Sequence, residues 1–161
     1  MNLRFWIPGP LPGMNEIIEA AKGCGGRGMA YSAMKSKWTN DIALLAMAAR
    51  LPKGLARIRI EFEWVSVNRQ HDPDNIEAAQ KFVWDAFCSP KKGRPGAGII
   101  ANDGWDQNAG SSHRHTIGDK PGVWVTVVDC SVSDGRRANT PLLLAASPRA
   151  DGRYQGTTPK E

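Results

Sequence analysis

The sequence predicts an α+β fold: a single domain with a mixed β-sheet and two main helices, in the order β-α-β-α-β-β. Three observations carry this expectation. Residues 57–64 alternate, with Ile58, Ile60, Phe62 and Trp64 on one side and Arg57, Arg59, Glu61 and Glu63 on the other, the period of a half-buried strand. Two stretches, 32–50 and 70–87, repeat apolar residues at three- and four-residue spacing, the period of a helix face. Two short runs near 106–117 and 122–130 flank a turn containing Gly118, Asp119, Pro121 and Gly122. That order mixes hairpin and crossover connections, so the sheet is mixed. With 161 residues, 41% hydrophobic and 23% charged, the chain is long enough for one core and ordinary for a globular domain.

The first strand is read from Leu3, Phe5 and Ile7, which alternate with Arg4 and Trp6. Pro8, Pro10 and Pro12 stop it, and a short helix is expected around Asn15 to Lys22. Gly23, Gly25, Gly26 and Gly28 surround Cys24 and Arg27 without the strand-then-helix context of a phosphate-binding loop, and read as a flexible basic flap. The next helix places Ala33, Met34, Trp38, Ile42, Leu45 and Ala49 on one broad face and ends at Pro52 and Gly54. After the alternating strand, the second helix carries Ile76, Ala79, Phe82, Val83, Ala86 and Phe87 at helical spacing. A basic loop, 89–98, leads to Ile99, Ile100 and the turn Asn102-Asp103-Gly104-Trp105. The last two strands are expected to pair with each other. From Ser131 onward Gly, Pro, Ser, Arg and Thr dominate, so residues 1–130 form the expected domain and 131–161 a disordered tail.

The formal net charge is +5, and the excess is uneven. Lys22, Arg27, Lys35 and Lys37 cluster ahead of or within the first main helix; Arg69 precedes the second; Lys91, Lys92 and Arg94 fill one loop. Such clusters suit a polyanion, whose counterions they displace; a plain solubilising surface is the alternative. Three cysteines with no CxxC pair argue for free thiols in a reducing cytoplasm, against a disulfide scaffold or structural zinc. No apolar run is long enough for a membrane span, and the N-terminal apolar stretch is too short for a signal peptide.

Three carboxylates stand out. Asp72 and Asp74 flank Pro73, and an extended backbone would turn both to one side. Asp103 lies in a Gly-containing turn downstream. Hard oxygen ligands of this kind suit Mg²⁺. Lys81, seven residues after Asp74, falls about two helical turns on, where its ammonium would reach back to a phosphate. Each residue also has a structural alternative. Asp74 with Glu77 reads as a capping box, and Asp72 as a cap with Pro73 at the first helical position. Lys81 is spaced for surface pairs with Glu77 and Asp85, and Asp103 suits a turn. Three histidines, His71, His113 and His115, read as solvated loop or strand-face residues, the last two also as a metal pair. Trp105, beside Asp103, reads as a residue able to stack on an unpaired base.

The combination DPDN, then KF-x-x-DA, then NDGW resembles the RusA family of Holliday-junction resolvases (crossover-junction endodeoxyribonucleases), its phage and prophage members above all. The resemblance spans about Leu3 to Val128 and includes IPGPLPGMNEII at the start. It implies a Mg²⁺-dependent homodimer, with Mn²⁺ as a substitute ion, that cuts four-way or otherwise branched DNA by paired symmetric nicks in a bacterial or phage-infected cell. By position, Asp72, Asp74 and Asp103 match the family's metal-binding acids and Lys81 its catalytic lysine. The lysine lies further from DN than in the better-known bacterial members, and Asn102 stands where many members have another Asp. A non-catalytic basic DNA-binding module, its acids structural, is the alternative.

Overall fold

The computed structural model describes residues 2–23 and 28–131. The elements are β1 (Asn2–Pro8), α1 (Met14–Lys22), α2 (Met29–Ala48), β2 (Ile58–Ser66), α3 (Pro73–Glu77), α4 (Gln80–Phe87), β3 (Asn108–Ile117) and β4 (Gly122–Asp129). The short helix and both main helical blocks expected from the sequence are present, the first block as the single helix α2 and the second as the two segments α3 and α4, and the four strands form one mixed sheet. The Arg27 and Cys24 part of the glycine-rich flap and the expected tail beyond Ser131 lie outside the described residues.

The sheet order is β1-β4-β2-β3. β4 is antiparallel to both β1 and β2, while β3 runs parallel to β2. This corrects the expected pairing of the last two strands with each other: β2 is inserted between them. The reason is burial. Ile58, Ile60, Phe62 and Trp64 are all 2% exposed or less, and a central place sets Ile60, Phe62 and Trp64 beside Val127, Val125 and Val123. β3, whose middle reads Ser-Ser-His-Arg-His, tolerates the edge, where polar strands belong. The link 118–121 has only to cross two strand spacings, about 10 Å, which four residues span easily.

One face of the sheet carries the helices. Phe5 and Ile7 of β1, Ile42 and Ala46 of α2, Phe82, Val83, Ala86 and Phe87 of α4, and Ile99 and Ile100 join the strand residues in a single core. Phe5 and Phe87 meet at a ring-centroid distance of 6.1 Å. Ala33 and Ala49, expected on the buried face of α2, are exposed; Thr39, Ala43 and Ala46 take that side. Ile99 and Ile100 are buried, and Ile100 makes a single bridge, to Cys88. On the opposite sheet face Arg4 bonds to Glu63 at 2.6 Å and lies 4.6 Å above the Trp124 ring.

The helical run after DPDN is interrupted. Backbone N–H groups of Ala79, Lys81 and Phe82 donate to the carbonyls three residues back, the tighter 3₁₀ pattern. α4 therefore starts with a different rotation from α3, which sets where Lys81 points. Among the described residues no helix is long and apolar enough to cross a membrane.

Candidate functional site

The backbone of Asp72 is extended (φ −68°, ψ 146°), as the following proline dictates, and Pro73 opens α3. Asp74 is therefore already helical. Successive helical residues are rotated by about 100°, so Asp72 and Asp74 do not share the face an extended segment would provide. Asp72 makes no side-chain cap, and Asp74 lies inside the helix instead of capping it. The Asp74 carboxylate accepts from the Asn75 N–H at 2.8 Å. Asn75 is a clasp between helices: its Oδ1 accepts from the Asn15 N–H at 3.0 Å, tying α3 to α1. Gly13 permits this approach, since a Cβ there would sit 2.9 Å from the Asn75 amide nitrogen.

Lys81 and Asp103 do converge. Lys81 Nζ donates to Asp103 Oδ2 at 2.6 Å across 22 positions of sequence. The same ammonium lies 2.9 Å from Asp85 Oδ1, and Lys35 Nζ lies 2.8 Å from Asp85 Oδ2, an ion pair by distance without hydrogen-bond alignment. Cations and carboxylates thus alternate along Lys35, Asp85, Lys81 and Asp103. Burial pulls the Lys81 pKa down, but the hydrogen bonds and charges of Asp103 and Asp85 outweigh it and raise it above the usual lysine value. The Lys81 hydrogen bond holds the Asp103 carboxyl below the usual carboxylate range. Burial, with the charges of Asp103 and Asp85 behind it, pushes the nearby Cys88 thiol up, so it is not a poised thiolate. The turn that presents Asp103 is built by its neighbour: Asn102 Oδ1 accepts from the Gly104 N–H at 2.8 Å.

This geometry bears directly on Mg²⁺ at Asp72, Asp74 and Asp103. Among the described residues no three His, Cys, Asp or Glu side chains are grouped as a cation site. Asp103 is engaged by Lys81, while Asp72 and Asp74 are exposed at the start of α3. As arranged, the donor set does not fit the ion. The carboxylate that does stand with Asp103 is Asp85, read from sequence only as a surface partner of Lys81. Its one signal was that i,i+4 spacing.

A cleft of about 250 Å³ adjoins this network, lined by α2 residues Ser32, Lys35, Ser36 and Thr39 and by Asp85, Cys88, Lys91, Arg94, Asn102 and Asp103 among others. Lys91 and Arg94 are placed by a tight turn whose third residue, Gly93, takes φ +73°. Behind it, Gly96 passes so near the Cys88 carbonyl that any Cβ would collide. Of the expected nucleic-acid contacts, Lys35, Lys91 and Arg94 come together here. Lys92 is exposed on the same turn, and Lys22 and Arg69 are exposed elsewhere. Lys37 pairs with Asp41 at 2.9 Å and stacks on Trp38, and Arg27 lies outside the described residues. On the other side of Asp103 a second hollow is bounded by Arg57, Trp105 and Gly110, with Trp105 94% exposed.

The histidines of β3 are engaged individually. Trp64 Nε1–H donates to His113 Nδ1 at 3.0 Å. The neutral ring therefore carries its proton on Nε2, 3.2 Å from Ser111 Oγ, which donates to Gln80 Oε1 at 2.9 Å. Burial lowers the His113 pKa. His115 Nε2 lies 2.9 Å from Glu77 Oε1, joining β3 to α3. With its proton on Nε2, His113 donates to Ser111 Oγ and does not serve as its base. Comparison of the chain with protein-family models and with curated proteins returned no match.

Proposed function

We propose that the chain is a structure-specific endodeoxyribonuclease that resolves four-way or otherwise branched DNA by paired nicks, working as a homodimer. The observation that carries this reading is the 2.6 Å contact between Lys81 and Asp103. It unites two of the residues matched by the resemblance to RusA-type resolvases, on the rim of a cleft lined by Lys35, Lys91 and Arg94. An ammonium at such a rim offsets negative charge gathering on a phosphoryl group. The exposed Trp105 indole offers a stacking surface for a base of the same strand. Two protomers would present two such centres to the two strands of a pseudo-two-fold junction. The carboxylates do not gather around an ion, so no step is assigned to one, and Mg²⁺ enters as a variable of the test.

The second reading is a DNA-binding module without catalysis. It is favoured by the neutralisation of Asp103 by Lys81 and by the absence of a three-carboxylate group among the described residues. Labelled four-way junction and linear duplex, incubated with and without Mg²⁺ or Mn²⁺, separate the two. Matched nicks on the junction alone, lost in Lys81→Met with junction binding retained, support the nuclease. Junction binding without nicks at any divalent concentration supports the module.

A further inference from the structure

We propose that the cleft between α2, the end of α4 and the turn 91–94 is a built binding site for a phosphate group. The residues at positions 32, 35, 36 and 39 of α2 are Ser, Lys, Ser and Thr, and all line the cleft. Their i, i+3, i+4, i+7 spacing makes them one stripe of a helix. A stripe of hydroxyls and one ammonium is donor-rich, which is what the oxygens of an anion require.

Charge points the same way. Lys35, Lys91 and Arg94 line the cleft, and Lys81 is bonded to both of its carboxylates, so four cations stand against Asp85 and Asp103. Both carboxylates are already engaged, Asp85 by Lys35 and Lys81 and Asp103 by Lys81. Among the described residues Lys91 and Arg94 have no ion-pair partner. At about 250 Å³ the cleft exceeds several times the ~30 Å³ that one water takes up in the liquid.

Thr39 supplies an independent observation. It is the one buried polar residue of the described chain, 5% exposed, and its hydroxyl has no hydrogen-bond partner. A buried hydroxyl left unpaired is unfavourable. Threonine χ1 divides between two wells in helices, so a rotation that turns Oγ1 toward a bound phosphate oxygen costs little. The group recognised is a phosphate mono- or diester oxygen set, from a nucleic-acid backbone or from free phosphate. The inference does not depend on cleavage, since seating an anion requires no hydrolysis.

The test uses the full chain without divalent ions. Amide resonances are followed during titration with inorganic phosphate, with pyrophosphate, with a short 5′-phosphorylated oligothymidylate and with chloride at matched ionic strength. Saturable shifts confined to residues near 32–39 and 89–94 are expected with at least one phosphate ligand, and not with chloride. Inorganic phosphate acting alone identifies a free-phosphate site, and the oligonucleotide acting alone a backbone site. Lys91→Gln/Arg94→Gln should weaken the response at least tenfold, and Thr39→Val several-fold with Thr39→Ser retaining it. Equal response to chloride, or none in the cleft at saturating ligand, overturns the proposal. Failure of the nuclease reading would instead show as binding without nicks when Mg²⁺ is added.

Discussion

Lys81 Nζ and Asp103 Oδ2 lie 2.6 Å apart, joining the start of α4 to a turn that follows it by 22 residues. Both side chains are well exposed, 50% and 37%, so solvent screening limits the stabilisation from this pair to about 1 kcal/mol or less. Its importance is therefore positional: it sets an ammonium at the mouth of a cation-lined cleft.

Lys81→Met is expected to leave the fold intact and remove activity. Thermal unfolding should shift by no more than a few degrees, while the nicking rate on a four-way junction should drop by about 10²–10³-fold, the usual cost of losing one charge-stabilising donor. A comparable loss of Tm and of activity would mean that Lys81 is structural.

The same substitution should raise the Asp103 pKa, because the Lys81 hydrogen bond is the largest cause of its depression. The sign follows from linkage. A depressed carboxyl contributes stability above its unfolded value, here 3.8, and that contribution is lost as pH falls through the folded value. Carboxyl carbon shifts recorded between pH 6 and 2 should show Asp103 titrating lower in the wild type than in Lys81→Met.

His113 predicts a second pH dependence, nearer neutrality. Its folded pKa lies below 6.5, chiefly from burial, and the bond from Trp64 requires an unprotonated Nδ1. Stability should be full above pH 6.5 and decline as pH falls through the folded value. His113→Asn keeps an acceptor near Nδ1 and does not titrate, so its urea midpoint should change less between pH 7.5 and 5. Trp64→Phe removes the donor and should raise the His113 pKa while costing about 1–3 kcal/mol from the unsatisfied ring nitrogen.

Trp105 is 94% exposed, so Trp105→Ala should alter stability by less than about 0.5 kcal/mol. If its indole receives a base, affinity for single-stranded or branched DNA should weaken by about 1–3 kcal/mol. With five other tryptophans in the chain, the quenching by DNA that is present in the wild type and missing in the variant reports the contact directly. Unchanged affinity would remove Trp105 from the interface.

Replacing Phe87, fully buried against Phe5, with Ala should cost about 3–5 kcal/mol. It should also loosen the cleft, because the cavity left by the ring lets the backbone at 87 shift. The carbonyl there, which alanine keeps, accepts from the N–H groups of Ile99 and Ile100 that lead into the Asp103 turn. Chemical denaturation and the phosphate titration measured on the same variant test whether core and cleft are coupled.

What the sequence determined by itself was every feature with a local period or a local steric cause. The alternations of Leu3 to Ile7, Ile58 to Trp64 and Val123 to Val127 mark buried faces, and Phe82 to Phe87 lie inside where their spacing puts them. Pro73 sets the extended backbone of Asp72, and the basic turn at Lys91 to Arg94 was readable from composition. Only the tertiary structure decided which strands are neighbours and that Lys81 meets Asp103 as well as its i,i+4 neighbour Asp85. Strand order depends on how much apolar surface each arrangement buries, and β2 gained the centre because its inward face is the most apolar. The break at Ala78 and Ala79 falls among good helix formers and has no signal of its own. By turning α4 relative to α3 it sets Lys81 toward the distant Asp103. Ion pairs between distant segments leave no periodic trace in a chain, since they are selected by the packing that brings those segments together.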